Sequence, residues 1–248
     1  INQTTIPATG SIAAQGNITQ ASTFDTGTAR IEINGTGAQT FTGGGSTSAG
    51  SLPDIEIDKA SGTLTLSSII RTSRTGTTAW VYTAGTIDAT TNDSTVVFAP
   101  TASGLTITGS HTLDNVTFNS GETVSTIANS NTLTVAGTLS LTDGSINQTT
   151  IPATGSVSAQ GNVTAALGWD GGTGTLVFSG SATQTFDLTG ATGTVNGDVK
   201  VNKSGGQVNL ASALVANAAS QDLFIEEGTF DLNGNNLTVN GTSGQLDV

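Results

Sequence analysis

Asp54, Glu56 and Asp58 alternate with Ile55 and Ile57. In an extended chain alternate side chains share a face, so three carboxylates would line up on one side of a strand. Such a row could ligate calcium or supply an acid/base pair. It could equally be the solvated side of a strand whose other side is apolar. The chain supplies its own comparison. DIEIDKASGTLTL at 54–66 returns as DVKVNKSGGQVNL at 198–210, and the three carboxylates become Asp198, Lys200 and Asn202. A site that turns into Lys and Asn in its second copy is not required by each copy, so the solvated edge is the reading adopted.

The remaining chemistry-bearing residues are sparse. His111 is the only His and there is no Cys, which removes thiol nucleophiles, disulfides and Cys-ligated metals. In GSHTLDN the lone His reads as a surface turn residue. A carboxylate pair for glycoside cleavage would have to assemble in three dimensions. Asp25, Asp88, Asp114, Asp170 and Asp231 are the first to inspect, but Asp25/Asp170 and Asp88/Asp231 recur as pairs, which fits a turn role. GTGAQTFTGGG at 35–45 lacks the lysine and the strand–helix setting of a phosphate loop, and reads as a flexible turn. Ten N-x-[ST] sequons start at Asn2, Asn17, Asn34, Asn92, Asn115, Asn147, Asn162, Asn202, Asn236 and Asn240. Stacked Asn followed by strand Thr produces the same pattern as glycosylation sites. No catalytic, cofactor-binding or metal-binding residue is assigned, and no cofactor is expected.

Whatever these residues do, an internal repeat positions them. Residues 1–19, INQTTIPATGSIAAQGNIT, match 146–164, INQTTIPATGSVSAQGNVT, at sixteen of nineteen positions. The match continues through Phe24/Trp169, Gln39/Gln184 and Phe41/Phe186, then GTID at 85–88 against GTFD at 228–231. The offset falls from 145 to 144 to 143 along the way. The chain thus reads as one full unit, 1–145, and a second, shorter one, 146–248, within one continuous array. It has no initiator Met and no signal peptide, as expected of a processed chain or one cut from a longer protein.

Composition narrows the class. Thr (47), Gly (33) and Ser (25) dominate the 248 residues, while aromatic residues are only 4%. The apolar residues are mainly Ile, Val, Leu and Phe alternating with Thr, which argues for strands over disorder. Net charge is −12 with only six Lys or Arg, which opposes binding to nucleic acid or anionic lipid. No apolar run is long enough to span a membrane as a helix.

Short strand-like runs bounded by Gly, Asn, Asp and Ser predict an all-β fold. Landmarks Ile12, Ile31, Ile55 and Val81, then Val96, Val116, Leu139 and Val157, then Val177, Val199 and Phe224, step mostly in the low twenties. That rhythm favours a parallel β-helix (β-solenoid) of about 11 coils of 20–25 residues over tandem β-sandwiches. The single-residue deletions between units fall between strands, where a coil absorbs them. A whole number of coils per unit, six or seven, would keep every face aligned. The expected core is Ile31, Ile33, Ile55, Ile57, Leu64, Leu66, Leu105, Ile107, Leu133, Val135, Leu139, Leu141, Val199 and Val201. The Ala-rich stretch 211–224 is read as strand and loop, because its counterpart in the first unit is β-branched.

The phrases GTLTL, NTLTVAGTLSL and GTIDA in Thr-rich tandem units resemble repetitive prokaryotic cell-surface proteins, the autotransporter passengers and filamentous-haemagglutinin-like adhesins. That resemblance implies a right-handed coil and an extracellular or cell-surface location. The function expected is structural and non-enzymatic: a rigid rod, stalk or filament segment, associating with neighbouring repeats or with itself end to end. A glycan- or surface-binding adhesin module is the alternative and predicts an aromatic platform from Phe24, Trp169, Trp80 and Tyr82. A β-helix enzyme acting on polysaccharide is the third. No nucleic-acid partner and no membrane insertion are expected.

Overall fold

The computed structural model describes residues 10–24, 27–147, 155–191 and 195–248. Alternation of β-branched and small polar residues makes the chain extended, and every strand pairing among the described residues is parallel. Parallel neighbours need a crossover, and here the crossover is the rest of a coil. Paired residues lie from 19 apart (Ile12 and Ile31) to 28 apart (Thr77 and Leu105). The result is a β-solenoid of about ten turns, in which the described residues form no α-helix and one 3-10 turn, Thr189–Ala191.

The coil has three faces, each a ladder of stacked strands. Ladder A joins Ser11–Ala14, Arg30–Ile33, residues 55–57, residues 80–81, Leu105–Thr108, residues 125–127, residues 145–146 and Gly171. Ladder B begins with Ile18–Thr19, Gln39–Thr42, residues 64–67 and residues 86–88. It resumes at His111–Leu113 and continues through Thr132–Val135, Ser156–Ala159, Thr175–Phe178, residues 199–201, residues 223–225 and Leu246–Asp247. Ladder C runs from Leu52 through Ile69–Thr72, Thr95–Phe98, residues 115–118, 139–141, 163–165, 186–187, 208–210 and 229–231. Leu214–Ala216 and Leu237–Val239 pair separately on the face that follows ladder C, which is the place of ladder A. The stretch 211–224 is strand and loop, as expected.

All fourteen expected core residues are buried, none more than 8% exposed. Along each ladder paired inward side chains stack coil on coil, and together they form one continuous core. Some landmarks land elsewhere. Val81 pairs with Glu56, not Ile55, and Val177 pairs with Lys200, not Val199. Val157 stacks on Leu133 in ladder B, whereas Leu139 belongs to ladder C. The rhythm was correct despite these slips because all three faces share one period.

The expectation of a whole number of coils per repeat is overturned. From Ser11–Ala14 to residues 145–146 the chain visits ladder A seven times, which is six turns. The copy of Ser11–Ala14, Ser156–Ala159, then falls on ladder B. The repeat therefore advances six coils and one further face, and the second unit sits a third of a turn round the axis from the first. Nothing forbids this, because each face asks the same of its strand: apolar inward, Thr or Ser outward, a tight corner at each end.

Candidate functional site

A cluster of chemically capable groups lies where ladder B is interrupted. Among the described residues no strand pairing joins 86–88 to His111–Leu113, and an open cleft of about 290 Å³ lies there, lined by Tyr82, Gly85, Thr86, Ile87, His111 and Thr112. His111 is buried, not in a surface turn, and begins a strand. It stacks on Tyr82 at 5.2 Å between ring centres. Trp80 Nε1 donates to His111 Nε2 at 3.0 Å, and His111 Nδ1 lies 2.8 Å from the Gly109 carbonyl.

Those two contacts decide what His111 can do. An indole N–H only donates, so Nε2 must accept, and the ring proton sits on Nδ1 and goes to Gly109. Neither nitrogen keeps a free lone pair for a metal or a substrate proton. Burial pushes the imidazole pKa down, partly opposed by the Gly109 carbonyl. The ring is a neutral pin joining coils 31 residues apart in sequence.

The carboxylates do not converge. Arg74 Nε pairs with Asp54 at 3.2 Å, Arg30 Nη1 pairs with Glu56 at 2.8 Å, and Asp58 is exposed. In the second unit Asp198 Oδ1 accepts the Asp222 amide at 3.0 Å, while Lys200 and Asn202 both reach Glu226. Asp88 and Asp231 each accept an amide just downstream, from Thr91 at 3.1 Å and Asn233 at 2.8 Å, which is the turn role their recurrence implied. The Thr91 bonds hold the Asp88 carboxyl below its ordinary range. Asp114 sits at a corner with Asn115 and Asp93, where burial and then the Asp93 charge raise its pKa. Asp170 is exposed, and Asp25 lies outside the described residues. Among the described residues no group of three or more His, Cys, Asp or Glu is placed to hold a metal ion.

The aromatic platform does not form. Trp80 and Trp169 are buried, Phe24 is half-buried, and the partly buried Tyr82 packs on His111. Four of the sequon Asn side chains serve the coil itself: Asn17, Asn115 and Asn162 accept the amides of Thr40, Thr138 and Thr185, and buried Asn147 accepts that of Ile127.

One built polar device escaped the sequence reading, and it occurs twice. Lys59 is 1% exposed, and its ammonium donates to the carbonyls of Gly35 and Gly37 and to Gln39 Oε1. Gln39 Nε2 continues the chain of bonds to the Ala14 and Gly16 carbonyls of the coil before. Lys203 repeats this with the carbonyls of Ser179 and Ala182 and with Gln184 Oε1, and Gln184 reaches Ala159 and Gly161. Three donors meet three acceptors, which suits the ammonium form even as burial lowers both lysine pKa values. The segment 35–45 is therefore no flexible turn but the lysine's carbonyl cradle and a strand. The signal was present: Ile55, Ile57 and Lys59 alternate inward, as do Val199, Val201 and Lys203.

Comparison with protein-family models, curated proteins and solved structures gives no match.

Proposed function

We propose that this chain is a rigid, non-enzymatic rod segment of a repetitive cell-surface fibre or stalk. The observation that carries the reading is the use made of the polar side chains. Lys59, Lys203, Gln39, Gln184, Asn17, Asn162 and His111 each place a side-chain hydrogen bond between one coil and the next. A scaffold needs that arrangement, and a binding or catalytic site would need free groups. The resemblance of the repeat phrases to surface adhesins supports the extracellular location.

The rotation between units supports a structural role over a receptor-binding array. Equivalent surface residues of the two units stand on different faces, so they present no single row to one flat partner.

Small-angle scattering and negative-stain microscopy of the purified chain test the reading. Straight particles of uniform width, roughly 50 Å long per chain at about 4.8 Å per coil, are expected. Flexible beads, or a defined glycan bound at micromolar affinity on a glycan array, would overturn it.

A further inference from the structure

The chain carries eighteen acidic residues and six Lys or Arg, and five of those six cations have a clear use. Arg30, Arg74 and Lys200 pair with Glu56, Asp54 and Glu226. Lys59 and Lys203 sit in their corner cradles. Arg71 differs. Among the described residues no carboxylate pairs with it, and its Nε is fully enclosed without an acceptor. Its Nη1 donates to the Gly50 carbonyl at 3.1 Å. Burial pushes its pKa down. A guanidinium taken out of water without a counter-charge is costly. The coil does not demand one here. The alignment that sets 54–66 against 198–210 continues to set Val215 against Arg71.

Arg71 points outward from ladder C in the strand Ile69–Thr72. Its backbone is fixed, because its amide donates to Gln20 Oε1 and its carbonyl accepts from Gln20 Nε2, both at 3.3 Å. The segment GSTSAG at 45–50 crosses its side chain as a strap. At one end the Gly45 amide donates to the Ile69 carbonyl at 2.9 Å, and a Cβ on Gly45 would lie 3.0 Å from Arg71 Cβ. At the other end is Gly50, with φ +76°. Between them Ser46 closes a turn, its amide donating to the Ala49 carbonyl at 2.8 Å and its Oγ accepting the Ala49 amide at 2.9 Å. The Thr47 carbonyl accepts from Asn119 Nδ2 at 3.3 Å, two coils further along the rod. Val97 pairs with Arg71 and points outward from the coil between, yet it is 0% exposed. A strap lying over this face accounts for that burial.

We propose that Arg71 and the strap at 45–50 form a binding site for a single carboxylate group, with the guanidinium as anchor and the strap as cover. Nη1 is held by Gly50, which leaves the edge made by Nε and Nη2. Those two parallel donors match the two oxygens of a carboxylate. The strap has to lift for entry, since Nε is enclosed. Gly50, already in a left-handed conformation, supplies a pivot, and the Asn119 bond is the latch. Once the strap closes, the low local dielectric strengthens the ion pair. A net charge of −12 repels polyanions, so the occupant is an isolated carboxylate on an otherwise neutral partner. The inference does not rest on the rod reading, and a rod would carry this site in its first unit alone.

Nuclear magnetic resonance of the full chain tests this, by following the arginine Nε–H signals as sodium acetate replaces sodium chloride at constant ionic strength. The Arg71 signal should shift and saturate at millimolar acetate, while those of Arg30 and Arg74 stay in place. Arg71→Lys keeps the charge and loses the fork, so acetate, read at the Ser48, Ala49 and Gly50 amides, should bind about tenfold more weakly. Arg74→Gln should bind as wild type does. Asn119→Ala should release the strap and speed acetate entry, read from exchange broadening. Circular dichroism checks that each variant is folded. A drift common to all three arginines, or Arg71→Lys binding as tightly as wild type, overturns the site. Loss of binding in Arg74→Gln places the anion elsewhere and also overturns it. Sulfate binding more tightly than acetate overturns the carboxylate assignment. An unchanged entry rate in Asn119→Ala overturns the strap as cover.

Discussion

The two units of this chain solve the same corner in the same way on different faces of the coil. In the first, Lys59 is held by Gly35, Gly37 and Gln39, with Gly85 in the coil above; in the second, Lys203 is held by Ser179, Ala182 and Gln184, with Gly228 above. The surfaces diverge. Arg30 pairs with Glu56 in the first unit, whereas at the corresponding rungs Lys200 pairs with Glu226 one coil later. What survives between copies is therefore the interior and its corner locks, while outward charge is free to move. The unit behaves as a building element that can be set down on any face, since its third-of-a-turn rotation leaves each lock intact.

The two units are most open to disruption at their buried lysines. Lys59→Met leaves two main-chain carbonyls and Gln39 Oε1 without a donor in the interior, at about 2–4 kcal/mol. Lys203→Met should cost the same within about 1 kcal/mol, because its three acceptors match. Native-state hydrogen exchange at the Thr40 and Thr185 amides, each bonded to a corner Asn, reads the two sites separately. Exchange is the suitable readout because a solenoid can open coil by coil. A large loss at Lys59 with almost none at Lys203 would mean that the units are alike in sequence but not in mechanics.

Much of this interior was legible from alternation alone. Ile55, Ile57, Val199 and Val201 declare an inward side, and stacking does the rest. The same alternation pointed inward at Lys59 and Lys203, but a lysine is almost never fully buried unless it is paired. The partners of the two lysines lie 19–24 residues away in sequence, so no local pattern shows them. His111 was opaque for the same reason: Trp80 is 31 residues away. The rotation of the second unit was illegible on different grounds. Three faces with the same period and the same inward–outward rule give identical sequence patterns, and only the strand register tells them apart.

The glycines that face the two lysines carry a smaller share of each lock. Gly85 has φ +115° and a Cβ there would lie 2.7 Å from Lys59 Cβ; Gly228 has φ +97° and its Cβ would lie 2.9 Å from Lys203 Cβ. Both positions combine a left-handed backbone with overlap against the lysine stem. Gly85→Ala and Gly228→Ala should each cost about 1–3 kcal/mol, with Gly85 the more sensitive. The expected readout is faster exchange at Thr86 and Thr229 with the rest of the ladder unchanged. Equal protection in variant and wild type would show that the coil can slide away from its lysine.

The two units also differ in their response to pH. His111 belongs to the first unit and has no copy within the second, since it is the only His in the chain. Its pKa in the folded chain lies below the ordinary 6.5 because burial disfavours the imidazolium. Above 6.5 the ring is neutral whether the chain is folded or not, and its full contribution is present. As pH falls from 6.5 towards the lowered folded value, the unfolded chain takes up a proton that the folded chain refuses, so stability drops. Protonation in place would turn Nε2 into a donor facing the Trp80 N–H, which breaks the pin. Between pH 7.5 and 5.5 the first unit should lose stability around residues 80–85, by at most about 1.4 kcal/mol for each pH unit of unequal proton uptake. Residues 223–228 carry Leu223 in the place of Trp80 and should show no matching loss. His111→Gln should flatten the dependence at 80–85 alone. A decline of equal size at both places, or one that persists in His111→Gln, would assign the acid sensitivity to the carboxylates that the two units share.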